Sequence, residues 1–193
     1  FSNLFYYDTF AGYYNFIANL FAEIASKIPL EFSPFITVYG SFFFIILLPY
    51  LCLFRESEFL DSNSKKIFAS FVLFLSPPFI SEVWLNSINL QIYLCLIVIL
   101  ILFMKNLNKK QKIFNHILVF LGAFSGIYTC ALIPFYIFKL IKEKLKYNLN
   151  NFLILLFGNV LQISLIIKAK INNTLHLTVL NNDLNLDIFI NFF

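Results

Sequence analysis

Uncharged runs alternate with short polar stretches along this chain. The runs cover residues 35–54, 67–80, 92–104, 113–138 and 151–167. A helix rises 1.5 Å per residue, so 35–54 reaches about 30 Å, the thickness of a bilayer core. It is expected to be a transmembrane helix. Ser33 before Pro34 reads as an N-cap followed by proline at the first helical position, and Pro49 predicts a kink. The run 67–80 is shorter and is interrupted by Pro77-Pro78. It crosses only if it is steep or is completed by the polar segment after it. The run 92–104 carries no charge, and with the residues before it the expected membrane segment is 88–104. Residues 151–167 form a further expected span, with Asn159 and Gln162 on one face.

The first 34 residues do not read as a span. Between 10 and 28 the polar residues Asn15, Asn19, Glu23 and Lys27 recur every fourth position, and Phe10, Tyr14, Ile17, Phe21, Ile24 and Ile28 fall opposite. That periodicity predicts an amphipathic helix lying in the membrane interface, ended by Pro29. The alternative is a surface helix packed on protein.

The basic residues set the expected orientation. Loops 55–66, 105–112 and 139–148 hold three, four and four Lys or Arg, eleven of the fourteen in the chain. All three share the cytoplasmic side only if 113–138 enters and leaves on that side. Gly122, Ser125 and Gly126 offer a turn, so 113–138 is expected to be a helical hairpin with arms of about 18 Å each. The rival, one long tilted span, would put four lysines outside. Residues 1–34, 81–91 and 168–193 then share the outer face.

Composition fits this picture. Of 193 residues, 60% are hydrophobic and 12% charged, with mean hydropathy +0.82. Soluble domains carry roughly 25% charged residues, so lipid is expected as part of the solvent. The expected class is all-α, a polytopic bundle in the cell inner membrane. The chain begins with Phe and ends in INFF, which reads as a piece of a longer protein. Residues 168–193 are Asn-rich and carry a weak glycosylation pattern at Asn172. Cys52, Cys95 and Cys130 lie inside apolar runs without metal-ligand spacing. His116 and His176 stand alone. No phosphate-binding glycine loop and no basic-aromatic surface for nucleic acid is present in the sequence.

Two polar groups at the expected outer face are candidates for chemistry. Glu82, Asn86 and Asn89 lie on one helical face, with Gln91 beside them and Trp84 suited to the interface. They fit a substrate-binding site for a head group or sugar, and equally a solvated helix cap. Asp8 sits among aromatic residues in LFYYDTFAGYY. It fits a general base or a metal-associated carboxylate with tyrosines stacking a sugar, and equally a helix N-cap.

The order YYDTFAGYY, SKIPLEFSPF, SPPFISEVWLNSINLQIYL and LGAFSGIYTCALIPFYIF resembles a family of uncharacterised bacterial polytopic membrane proteins over roughly residues 5–167. That family is similar to the GT-C class of glycosyltransferases. The resemblance implies a polyprenyl-phosphate-linked sugar donor and a catalytic acid in the first outer loop. Asp8 matches in place, and Thr9 follows it where the class often has a second acid. On this reading Asp8 is catalytic and Glu82, Asn86, Asn89 and Gln91 line the substrate site. The cofactor is left unknown, a divalent metal being compatible with the carboxylate. Rival expectations are a transporter or flippase of lipid-linked glycans and a structural membrane subunit. The acids lie outside the spans or at their ends, which favours the transferase over a proton-coupled carrier.

Overall fold

A computed structural model describes residues 12–75, 87–105, 107–143 and 146–171. Among these residues the ordered elements are helical and no strand occurs. They are α1 (Phe16–Ala25), α2 (Ser33–Phe54), α3 (Asn63–Leu75), α4 (Leu90–Leu102), α5 (Lys109–Phe124), a 3-10 helix (Tyr128–Leu132), α6 (Ile133–Glu143) and α7 (Lys146–Ile171). Two helical stretches are long and apolar enough to cross a membrane, Ser33–Phe54 and Asn148–Ile171.

α4 is the centre. It is apolar all round, and a helix of that kind needs cover on every side. Leu94, Ile97, Val98 and Ile101 are fully buried. α2, α5 and the 3-10 helix pack directly on it. With 13 residues it reaches only about 20 Å. The uncharged run expected to span thus forms a short helix enclosed by protein.

The helices run between two ends. At the tyrosine end, Gln91 at the start of α4 meets Tyr13, Ser125 after α5 meets Ile17 of α1, and Gln162 of α7 meets Tyr14. At the lysine end, the α2–α3 loop pairs with the end of α4. The Glu58 N–H donates to the Phe103 carbonyl at 2.9 Å and the Lys105 N–H to the Glu56 carbonyl at 2.9 Å. Lys139 near the end of α6 bonds Glu58 there. α5 therefore rises from the lysine end and α6 returns to it, with the reversal at Ser125–Ile127. Both arms pack on α7 rather than on one another. Gly126 takes φ +147° at the reversal, a conformation open to glycine.

Local chemistry sets the helix ends. The Asn15 side chain accepts from the Ala18 N–H at 3.2 Å and starts α1. α1 is therefore shorter than the 10–28 periodicity implied, and it ends four residues before Pro29. Part of its apolar face lies on protein. Ile17 and Phe21 are buried, and a Cβ on Gly40 of α2 would collide with the Phe21 ring. Ser33 does not cap α2 with its side chain. Its hydroxyl donates instead to the Ala25 carbonyl at 2.8 Å and ties the two helices together. Pro49 lies inside α2, where its own carbonyl accepts from the Ser70 hydroxyl of α3 at 3.1 Å. α3 is the described part of the expected 67–80 segment.

Candidate functional site

Of the five site residues expected from the sequence, Asp8, Glu82 and Asn86 lie outside the described residues, and so does Trp84. Asn89 and Gln91 lie within them, at the tyrosine end. Asn89 is the residue just before α4 and is half-buried. Gln91, in the first turn, is buried.

Gln91 belongs to a larger cluster of buried amides and hydroxyls. Its Nε2 donates to the Tyr13 hydroxyl at 3.1 Å. Its Oε1 is buried with no partner, and lies where Gly126 leaves room, since a Cβ on Gly126 would collide with it. One turn from that glycine, Asn159 of α7 is fully buried. Its Oδ1 accepts from the Thr129 hydroxyl at 3.0 Å and from the Cys130 thiol at 3.1 Å. Its Nδ2 has no partner. Gln162, three residues on and also fully buried, clasps the backbone of Tyr14 with both ends of its amide at 2.8 Å each. Burial pushes the Tyr14 phenol above its usual range, and a hydrogen bond with Asn19 works in the opposite direction. Asn15 Nδ2 donates to the Ile88 carbonyl at 2.9 Å and fastens α1 to the segment before α4.

The sequence placed Asn159 and Gln162 on one face of a helix but assigned them no role. Their signal was two amides inside an otherwise apolar run, where an unpaired amide is costly. Tyr13 was legible as one of the aromatics after Asp8. Ser125 and Thr129 carried no signal separable from ordinary small polar residues.

Such a cluster orients hydroxyl groups and carries no general base of its own. It leaves a buried acceptor, Gln91 Oε1, and a buried donor, Asn159 Nδ2, without partners. Among the described residues no group of three or more His, Cys, Asp or Glu gathers to hold a metal ion.

The lysine end holds a second polar set. The Lys139 ammonium is buried, 2.6 Å from a Glu58 carboxylate oxygen and 4.7 Å from the centre of the Phe103 ring. The sequence put Lys139 in a solvated loop; the structure folds it inward over the end of α4. His116 Nδ1 is 2.6 Å from Asn151 Oδ1.

No family model matches the chain, and no curated protein or solved structure matches it.

Proposed function

We propose that the chain is a multi-pass protein of the cell inner membrane, with its lysine end cytoplasmic. We further propose that its tyrosine end handles a lipid-linked sugar. One observation carries the membrane reading. α7 turns Leu153, Phe157, Val160, Ile163 and Ile167 outward, while Asn151, Asn159 and Gln162 are fully buried. A helix in water presents the reverse pattern. The outward faces of α2, α3 and α6 agree, with Phe43, Phe54, Phe68, Phe71, Phe135 and Phe138 all more than half exposed. Apolar area on that scale in water marks an interaction surface, and here it lies on helices whose buried sides carry Ser41, Ser70, Asn159 and Gln162. The basic residues support the orientation. Arg55, Lys65, Lys66, Lys105, Lys109, Lys110, Lys112, Lys139 and Lys142 belong to the lysine end, against Lys27, Lys168 and Lys170 at the other.

The sugar-transfer part rests on the resemblance to GT-C enzymes. It is supported by the buried cluster around Gln91, which joins the residues just after Asp8 to the start of α4. Asp8 would take the proton of the acceptor hydroxyl as its oxygen bonds the sugar's anomeric carbon, and the bond to the polyprenyl phosphate would break, releasing an already good leaving group. The test is made in inverted and right-side-out vesicles carrying the full-length protein without native cysteines. Cysteine at Lys109 or Lys142 should be labelled only from the cytoplasmic side, and cysteine at Lys27 only from outside. Extraction of the protein by alkali would overturn the membrane reading. Movement of a lipid-linked glycan across the bilayer without cleavage would replace transfer by a flippase.

A further inference from the structure

We infer that a groove at the lysine end binds the phosphate of an anionic lipid, an inference that rests on the membrane reading above. The groove has a volume of about 450 Å³ and lies between the end of α2 and the start of α5. That size suits a small head group. Arg55, just after α2, and Lys110, in the first turn of α5, line it, and so do Tyr50, Phe54 and Phe114, which form its apolar wall.

The α2–α3 loop carries three carboxylates, of which Glu56 is exposed next to Arg55 in sequence and the other two are paired. Glu58 is held by Lys139 and Asp61 by Lys65, and the Lys65 contact keeps the Asp61 carboxyl below its usual range. Arg55 and Lys110 have no ion-pair partner among the described residues. The two amides in the groove are already committed. Asn108 Oδ1 accepts from the Gln111 N–H at 2.9 Å, and Gln111 Oε1 accepts from the Asn108 N–H at 3.0 Å, closing a capping box. That box orients the first turn of α5 and with it Lys110. Two cations from separate elements therefore converge on one cleft, and a phosphate accepts hydrogen bonds from both.

The wall identifies which phosphate fits. Tyr50 and Phe54 meet at a tilt of 40° with ring centres 4.9 Å apart and are 47% and 69% exposed. They continue the outward apolar face of α2 down to Arg55. A lipid in the adjacent leaflet would lay its acyl chains along that face and its phosphodiester in the groove. The free ion would use only the cations.

The experiment uses the full chain reconstituted in phosphatidylcholine vesicles with or without phosphatidylglycerol. Insertion is checked first by alkali resistance, and the preference for spin-labelled phosphatidylglycerol over phosphatidylcholine is then measured. The inference expects a clear preference that falls on the order of tenfold in the Arg55→Gln/Lys110→Gln double variant. The charge-matched Lys65→Gln/Lys66→Gln variant should keep it. Inorganic phosphate at millimolar concentration should compete weakly. Full displacement by it would assign the groove to a soluble phosphate and overturn the lipid assignment. An inserted protein with no preference, or a double variant that keeps it, would overturn the groove as a site. A protein stripped by alkali would instead sink the membrane reading.

Discussion

Gln162 and Tyr14 are 148 positions apart, yet one side-chain amide satisfies both backbone groups of the tyrosine. The Tyr14 N–H donates to Gln162 Oε1 at 2.8 Å, and Gln162 Nε2 donates to the Tyr14 carbonyl at 2.8 Å. Two opposed hydrogen bonds fix position and direction together. They hold Tyr14, two residues before α1, against the last helix. Gln162→Leu keeps the volume but orphans two buried backbone groups. The expected loss is about 2–6 kcal/mol, from about 1–3 for each of the two groups. Unfolding of the detergent-solubilised protein measures it, and an unchanged midpoint would mean that Tyr14 is held by other contacts.

Gly126 separates backbone from packing. Alanine there faces a φ of +147° and the Gln91 amide at once. Gly126→Ala should therefore cost more than Gly122→Ala, whose new methyl meets only the movable Val98 Cγ2 at 2.7 Å. Comparison of the two unfolding midpoints decides the point, and equal losses would place the strain elsewhere.

Gly158 lets α7 approach α5. A Cβ there would lie 2.6 Å from the Ala123 Cβ and 3.0 Å from the Ala123 carbonyl oxygen. Helix backbones cannot yield as a side chain does, so Gly158→Val should move α7 outward and disturb Asn159 and Gln162 beside it. A cysteine cross-link between α5 and α7 should form more slowly in that variant.

Glu58→Gln leaves the buried Lys139 ammonium without its counter-charge. Breaking a fully buried pair costs about 3–5 kcal/mol; because Glu58 is 25% exposed, the loss should fall below that range, at about 2–3 kcal/mol. Lys139→Met in the same background should restore most of it, since the methionine stem packs on Phe103 without a charge. Failure of that rescue would show that the pair positions the α2–α3 loop rather than neutralising a charge.

Asp8→Asn tests the proposed chemistry. If Asp8 is the base, sugar transfer by the full-length protein should fall on the order of 10²-fold or more while donor binding persists. Glu82→Gln should impair binding and leave abundance unchanged. Normal transfer by Asp8→Asn would remove that residue from the mechanism.

The helical class, the α2 and α7 stretches, and the small residues around the reversal at Gly126 were legible in the sequence. Run length, an uninterrupted apolar composition and glycine placement are local properties, and hydrophobic periodicity reports them directly. The role of 92–104 was not legible. A uniformly apolar run reads alike whether lipid or protein covers it, and only the packing of α2 and α5 showed that α4 is enclosed. The amphipathic pattern at 10–28 likewise gave a face but not its cover, which proved to be Gly40 and its neighbours. The polar cluster needed the tertiary structure most. Tyr13, Gln91, Ser125, Thr129, Asn159 and Gln162 come from four separated stretches, and nothing in one-dimensional spacing pairs an amide at 162 with a backbone at 14. Lys139 shows the same limit in reverse. A lysine in a basic stretch reads as solvated, and only the fold brings Glu58 within reach to make its burial tolerable.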